Sequence, residues 1–194
     1  MAGLALVTPS SEPVTLAEAK LFAKIDVTDD DALVTELISA ARKGLEERWN
    51  WSFVTQTWDY FLDAFPMDDW WYPLPIGLPR QPLQSVTSVK YTPDGGSTLT
   101  VTSSDYYVDT TNNAGPRVMP HVGKSWPGNL LRIANGVEVR IVTGYGAAGV
   151  VPEQLKVAVK QVVNGWYYQR DTIGIIPDGV DAFLDEVRGG YCFA

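Results

Sequence analysis

The apolar residues of this chain change period twice, and this change limits the possible folds more than any other feature. They recur at helical spacing near the start, alternate with polar residues from about Val54, and return to helical spacing after Pro152. A period of 3.6 indicates amphipathic helices, and a period of 2 indicates half-buried strands. We therefore expect an α+β fold, mainly an antiparallel helical bundle, with a β-sheet or small barrel over 54–145 inserted between helices two and three. We expect one domain over 1–194.

Two helices are predicted near the start of the chain. Thr15 and Glu18 have the spacing of a capping box, which indicates a helix that runs to about Ile25. Thr28, followed by the acidic run 29–31, predicts the start of a second helix, because carboxylates are stabilised at a helix N-terminus. Small residues on the second helix would let another helix approach closely. The apolar face expected for it comprises Leu33, Leu37, Ala40, Ala41, Gly44 and Leu45.

Two more helices are predicted near the end of the chain. Pro152 indicates the start of the third helix, because proline is favoured at the first helical position, and a short fourth helix is expected after Asp178. The third helix ends in Trp166, Tyr167 and Tyr168. Neighbouring residues point about 100° apart on a helix, so we expect Trp166 in the core and the two tyrosines unequally buried. Its predicted apolar stripe comprises Leu155, Ala158, Val159, Val162, Val163 and Trp166.

The middle of the chain has the pattern of a compact antiparallel sheet. Short alternating segments are separated by glycine and proline, which is typical of strands joined by turns. The turn at 93–96, Pro-Asp-Gly-Gly, predicts a hairpin between the segments that flank it. The stretch 63–82 carries five prolines, so we expect an extended, exposed loop there.

Charge and composition exclude several classes of function. The formal net charge is −8, and an acidic chain is a poor candidate for gripping the phosphates of DNA. The single cysteine, Cys192, cannot form an intramolecular disulfide, which fits a reducing compartment. No stretch approaches the 18 apolar residues of a transmembrane helix, so no membrane contact is expected.

The sequence offers no catalytic set. His121 is the single histidine, and no serine or cysteine motif accompanies it. One histidine with one cysteine cannot supply a zinc site. The segment 123–125, Gly-Lys-Ser, lacks the glycine that a phosphate loop requires at position 118, which is valine. We therefore expect no enzymatic activity, no metal and no other cofactor.

Aromatic residues without catalytic partners indicate binding surfaces. Trp58, Trp70 and Trp71 lie near carboxylates in the sequence, so a carbohydrate-binding module is one alternative. The other hypothesis is that Trp58 fills a small sheet core while 70–72 forms a contact with another protein. The final segment, 189–194, begins with two glycines and could add to a groove or strand of another chain.

The order of five segments gives the chain a family resemblance. It resembles the head–tail connector, or adaptor, family of tailed bacteriophages and prophages over nearly its whole length. The segments are "LVTPSSEPVTLAEAKLFAKID", "TDDDALVTELISAARKGLEERW", "TQTWDYFLDAFP", "IGLPRQPLQSVTSVKY" and "VRIVTGYGAAGVVPEQLKVAVKQVVNGWYYQRD".

This resemblance implies a structural protein of the virion neck, assembled in the cytoplasm of a bacterial host. It implies a ring of copies of this chain, expected to number twelve, beneath the portal protein. DNA would pass through the channel without sequence-specific binding, and tail-side neck or head-closure proteins would attach below. A head-closure or tail-completion protein is the alternative within the same class, but two helices before the sheet favour the adaptor.

Three groups of residues are candidates for these contacts. A ring needs two different surfaces on each subunit, and the candidates are Ala40, Ala41, Gly44, Tyr167 and Tyr168. The resemblance implies that a C-terminal docking tail, 189–194, binds the portal through Gly190, Tyr191, Cys192, Phe193 and Ala194. The loop expected to contact a tail-side protein or a neighbouring subunit contains Trp70, Trp71 and Tyr72.

Overall fold

The computed structural model describes residues 3–8, 11–70, 72–110, 115–177 and 179–184. The chain divides into two compact units. The sheet unit comprises Met1–Pro9 and Gln56–Gly144, and the helical unit comprises Ser10–Thr55 and Tyr145–Ala194.

The helical unit is built from three long elements and one short one. A core of buried apolar side chains joins them, and it includes Val34, Leu45 and Leu155. No helix in the described part of the chain has both the length and the apolar character needed to cross a bilayer. The elements are α1 (Leu16–Ala23), α2 (Asp31–Trp49), α3 (Glu153–Tyr168) and the helical residues 179–184.

The helix starts follow the sequence signals in two of three cases. The capping box at α1 is confirmed, because the Thr15 side chain accepts from the main-chain N–H of Glu18 and the Glu18 carboxylate accepts from that of Thr15. The start of α3 was predicted to within one residue, because Pro152 is the N-cap and Glu153, not Pro152, is the first helical residue. The prediction of Thr28 as the cap of α2 was wrong. Asp30 occupies that position, and Thr28 contributes only its main-chain oxygen, which accepts from Asp31.

The core faces of the long helices match the sequence unequally. Every residue predicted for the stripe of α3 is buried, Trp166 included. On α2 the buried face is rotated towards Val34 and Ile38, and Ala40 is exposed. Apolar residues cover a wide arc of this helix. The core takes the larger side chains, because they remove more apolar surface from water.

A buried ionic cluster links α2 to the segments before and after it. The guanidinium of Arg42 donates to Glu46 at 2.6 Å and to Glu12 at 2.9 Å. The second oxygen of Glu46 accepts from the main-chain N–H of Phe53 at 2.8 Å. Burial lowers the pKa of Arg42, but the two carboxylates more than offset this effect and hold the pKa above its ordinary value.

The sheet unit contains two antiparallel sheets. The larger has the strand order β1-β2-β8-β4-β5, and the smaller has the order β3-β7-β6. Strand β8 is the centre of the larger sheet, and its residues Val137, Val139 and Ile141 are fully buried. The strands are β1 (Gly3–Thr8), β2 (Gln56–Leu62), β3 (Ile76–Gly77), β4 (Leu83–Tyr91), β5 (Leu99–Thr100), β6 (Tyr106–Asp109), β7 (Arg117–Pro120) and β8 (Val137–Thr143).

The prediction of a mainly helical bundle carrying a small β insertion was wrong. The described residues form an α+β fold with four helices and eight strands in two sheets, so the sheets are a major part of it. Three strands were missed, namely β1, β3 and β7. Two are only two and four residues long, and β1 is an apolar run without alternation, so none carries a clear period of two.

The proline-rich stretch 63–82 is only partly the exposed loop that we predicted. Phe65, Ile76 and Leu78 are buried in the core of the sheet unit, and Ile76 belongs to β3. Prolines restrict the backbone but leave the residues between them free to bury apolar side chains. The exposed part is the turn around Trp70.

Candidate functional site

Asp68 organises an exposed aromatic turn in the sheet unit. Its Oδ1 accepts from the main-chain N–H of Trp70 at 3.0 Å and of Tyr72 at 2.7 Å. The main-chain N–H of Asp68 donates to the oxygen of Tyr72, and Leu74 donates to Pro66 below it. The side chains of Trp70 and Tyr72 are 82% and 69% exposed. A turn held from within therefore presents two large aromatic rings to solvent.

A second loop, 121–136, is anchored against this turn by Trp126. The Trp126 ring is buried and stacks on Phe65, with 5.0 Å between ring centroids and 8° between planes. Its Nε1–H donates to the main-chain oxygen of Leu74 at 2.9 Å. Because Leu74 closes the aromatic turn and Trp126 belongs to the second loop, this bond fixes the two loops beside each other.

In its second half, 129–136, the second loop exposes two large apolar side chains on an ordered backbone. Leu130 and Ile133 are 80% and 95% exposed. The oxygen of Leu130 accepts from the N–H of Asp94 at 2.8 Å, and Arg132 donates to the oxygen of Thr92 at 3.1 Å. The surface is therefore held in place without burying these side chains.

An open groove of about 480 Å³ lies between residues 63–67, which lead into the aromatic turn, and residues 127–133 of the second loop. We call Trp70, Tyr72, Leu130 and Ile133 the loop surface. Exposed apolar patches of this kind mark contacts with other proteins. Its surroundings are acidic on balance, with Asp63, Asp68, Asp69 and Asp94 against Arg132, while Lys124 of the second loop is paired with Asp105 at 2.8 Å.

Trp58 and Trp70 lie in different surroundings. Trp58 is partly buried, and the guanidinium carbon of Arg80 lies 4.3 Å from the centre of its ring. One face of Trp58 is therefore occupied, while Trp70 is exposed on the turn. Trp71 lies outside the described residues. The arrangement gives the carbohydrate-binding alternative no support.

The aromatic end of α3 behaves as the angular argument predicted for Trp166. Trp166 is buried, and its Nε1–H donates to the oxygen of Ile175 at 2.7 Å. The hydroxyl of Tyr167 donates to Asp30 Oδ2 at 2.6 Å, which raises the pKa of Tyr167 above its ordinary value. The hydroxyl of Tyr168 donates to the oxygen of Ala23 at 2.8 Å, yet the residue is 61% exposed. Both tyrosines tie α3 to the α1–α2 corner, and the ring of Tyr168 meets that of Tyr167 edge to face, with 5.1 Å between centroids, while the residue stays largely exposed.

The other residues predicted to make contacts differ in how exposed they are. Ala40 is exposed, and Gly44 is partly exposed with space around it, because an added Cβ would meet nothing within 4 Å. Ala41 is fully buried and belongs to the core of its own unit. The portal-binding residues, Gly190, Tyr191, Cys192, Phe193 and Ala194, lie outside the described residues.

Two exposed apolar features were missed at the sequence level. One is the Leu130–Ile133 half of the loop surface, and the other is the exposed pair Leu21 and Phe22 on α1. In α1 the buried residues are Ala19 and Ala23, so the larger apolar side chains lie off the core face. In the sequence, small alanines lie at the helical spacing of a core face while the larger Leu21 and Phe22 lie beside it. This arrangement could have indicated that Leu21 and Phe22 are exposed. Within the described ranges, no cluster of histidine, cysteine or acidic residues could hold a metal ion.

Comparison with known families identifies part of the chain. A family model described as phage gp6-like head–tail connector protein matches residues 13–114. This range contains α1, α2 and strands β2 to β6. The comparison with curated proteins gave no match.

Solved structures with the same fold come from particle necks and virions. A chain in "Neck of empty GTA particle computed with C6 symmetry" has a TM-score of 0.74 and 20% identity, over 95% of this chain and 94% of that one. A chain in "Virion of native gene transfer agent (GTA) particle" has a TM-score of 0.73 and 21% identity, over 94% and 93%. A chain in "Neck of native GTA particle computed with C12 symmetry" has a TM-score of 0.62 and 21% identity, over 94% and 93%. At these identities the likeness establishes the fold.

Proposed function

We propose, from the premise that this chain belongs to the phage gp6-like head–tail connector family, that it forms an oligomeric ring joining the portal to the tail or neck. A head–tail connector is a structural part of the particle. The prediction that the chain is not an enzyme is therefore confirmed by its family. The ring, its partners and its channel are the parts that we propose.

The observation that carries the proposal is the match of the whole fold to a neck protein. It extends over 95% of this chain, well beyond the range of the family model. The two neck structures are described with C6 and with C12 symmetry. A ring of twelve copies satisfies both symmetries, which supports twelve subunits for this chain as well.

The ring contact would use the exposed parts of the helical unit. A closed ring is heterologous, so one surface of each subunit must meet a different surface of the next. Ala40 and Gly44 form a small-residue strip on α2, and Tyr167 with Tyr168 forms an aromatic end on α3. The strip lets a neighbouring helix approach, and the largely exposed Tyr168 supplies apolar area.

Two different segments of the chain would bind different proteins. The C-terminal docking tail, 189–194, would insert into the portal, since two glycines are followed by the aromatic residues Tyr191 and Phe193. The loop surface, with Trp70 and Ile133, would bind a tail-side neck protein. Its acidic surroundings favour a partner that carries lysine or arginine at the rim of the contact.

The channel would let DNA slide without holding it. The net charge of −8 gives the ring a negative field, and like charge discourages the binding of phosphates. No base readout is needed for this role. The subunits would assemble onto the portal in the cytoplasm of a bacterial host.

The test is the mass of the protein alone and with a portal ring, by size-exclusion chromatography with light scattering. We expect a ring-sized complex with the portal, which is lost when residues 189–194 are deleted. A chain that stays monomeric and ignores the portal would contradict the proposal. That result would favour the head-closure or tail-completion alternative.

A further inference from the structure

The larger sheet ends in two outer strands whose far edges pair with no other strand among the described residues. One is β1 (Gly3–Thr8), and the other is β5 (Leu99–Thr100). The segment that contains β5 is longer than the strand itself. Val101 donates to the oxygen of Val89 at 2.8 Å, and the hydroxyls of Thr92 and Thr98 lie 2.9 Å apart. Residues 98–101 therefore follow β4 and present a second open edge.

Two of the usual protections against pairing are weakly present, since β5 is two residues long and β1 has one register irregularity, but charge and proline are absent from both strands. Natural proteins protect exposed edge strands with lysine, proline, bulges or short strands, because free N–H and C=O groups recruit other chains. The sequence of β1 is Gly-Leu-Ala-Leu-Val-Thr, and 97–101 is Ser-Thr-Leu-Thr-Val, without a charge or a proline in either. A register irregularity lies between Leu6 and Thr8, which leaves Gly3–Leu6 in regular pairing with β2. Leu6 and Leu99 are both exposed.

The two edges run in the same direction. Every neighbouring pair in the order β1-β2-β8-β4-β5 is antiparallel. Four reversals separate β1 from β5, so these two strands are parallel to each other. A rotation about an axis along the strands therefore brings β5 of one copy beside β1 of the next as a parallel pair. Parallel pairs are slightly less stable than antiparallel pairs but are ordinary in sheets.

We propose that the outer edge of β1 pairs with residues 98–101 of a second copy of this chain, so that the larger sheet continues from subunit to subunit. This inference rests on the proposed ring. Opposite edges of one sheet supply the two different surfaces that a closed heterologous ring requires. The lack of charge on the two edges also explains why a second copy of this chain would bind there. Copies of a chain with a net charge of −8 repel each other, and an uncharged edge lets main-chain hydrogen bonds form where that repulsion is weakest.

The first test places charges on the two edges. Leu6→Lys and Leu99→Glu should each reduce ring formation at least tenfold, measured as the protein concentration that half-assembles on a portal ring. The double variant L6K/L99E should recover most of the loss, because the introduced lysine of one copy then lies near the introduced glutamate of the next. Val122→Lys is the matched control, since it adds a charge at an exposed apolar residue of the same unit that belongs to neither edge segment.

The second test uses the unaltered protein, so it does not depend on how the variants fold. Amide hydrogen exchange at residues 3–8 and 98–101 should slow at least tenfold in the ring relative to the free chain. Equal exchange in the ring and the free chain, or rings from L6K and L99E as readily as from the wild type, would overturn this inference and leave the proposed function standing. Failure of the wild-type chain to form any ring, alone or with the portal, would overturn both.

Discussion

The hydroxyl of Tyr167 donates a hydrogen bond of 2.6 Å to the carboxylate of Asp30, and this bond joins the last turn of α3 to the N-cap of α2. The next residue, Tyr168, makes a second link from the same turn to the oxygen of Ala23. Two adjacent tyrosines thus hold the corner between α1 and α2. The residues that we propose at the ring contact are also part of the helical unit's own structure.

Tyr167→Phe should remove an alkaline dependence of stability. The hydrogen bond to Asp30, and then burial, raise the pKa of Tyr167 above the unfolded value of about 10. Its contribution is therefore complete below pH 10 and is lost as the pH rises through the raised folded value. The difference in free energy of unfolding between wild type and Y167F, from urea denaturation at pH 8 and at pH 11, should shrink at the higher pH. Asp30→Asn should show the same flattening. A constant difference between the two pH values would count against the link.

Glu46→Ala should destabilise the helical unit strongly. It leaves the buried guanidinium of Arg42 with one carboxylate fewer and removes the acceptor of the Phe53 N–H. Breaking a buried ion pair from one side costs about 3–5 kcal/mol. Glu47→Ala is the control, since Glu47 is exposed and should change the free energy of unfolding by less than about 0.5 kcal/mol. Equal losses for the two variants, measured by urea denaturation, would show that the cluster contributes little.

Thr15→Ala should cost about 1 kcal/mol, the typical loss when a helix cap is removed. The Thr15 hydroxyl accepts from the main-chain N–H of Glu18 and donates to the Glu18 carboxylate at 2.7 Å, and alanine removes both bonds. Thr15→Ser keeps a hydroxyl at the same place and should retain most of the stability. Thermal unfolding by circular dichroism separates the two, and an alanine variant as stable as the serine variant would be the contrary result.

Gly136→Ala should destabilise the sheet unit by about 1–3 kcal/mol, the usual cost of overpacking. A Cβ at Gly136 would lie 2.5 Å from the main-chain oxygen of Asp63 and 2.9 Å from the Cβ of Leu131. Gly128→Ala is the matched control in the same loop, because an added Cβ there meets nothing within 4 Å. Urea denaturation should show a loss for G136A alone, and similar values for both variants would contradict the close approach.

Trp70→Ser and Ile133→Ser should leave the fold unchanged and weaken binding of the tail-side neck protein. Both side chains are largely exposed, so each should change the free energy of unfolding by less than about 0.5 kcal/mol. If they are central to the contact, each should lower affinity roughly 30-fold, the equivalent of about 2 kcal/mol. Val122→Ser is the control, because Val122 is exposed outside the loop surface. Surface plasmon resonance on assembled rings would measure this, and unchanged affinity in both variants would exclude the loop surface.

The long helices could be predicted from the sequence because their signals are local. The capping box at Thr15 and the stripe of α3 depend on residues three or four positions apart, and both are confirmed. The start of α2 was misplaced, because Thr28 and Asp30 are both residue types that cap helices and lie two positions apart. A hydrogen bond from the capping side chain to the first turn of α2 would distinguish the two residues, but the Asp30 side chain makes no such bond.

The sheets and the loop surface were harder to predict because they depend on residues far apart in the chain. Strand β1 pairs with β2 some fifty residues later, and nothing within Gly3–Thr8 indicates that partner. The exposure of Trp70 and Tyr72 could be predicted, because a short segment with so many aromatic residues is hard to bury completely. Leu130 and Ile133 were missed, because the position of their loop depends on contacts with distant residues, among them the bond from Trp126 to Leu74 and the stack of Trp126 on Phe65.

The sheet unit interrupts the helical unit in the sequence, and this has a consequence for synthesis on the ribosome. Helices α1 and α2 emerge first, but α3, which shares their core, lies beyond Gly144. At about 5–20 residues per second, residues 56–144 take roughly 5–20 s to translate. During that interval the apolar faces around Leu37 and Leu45 have no partner from α3. The nascent chain should therefore depend on chaperones, or on fast translation, more than a chain with the same two units in tandem.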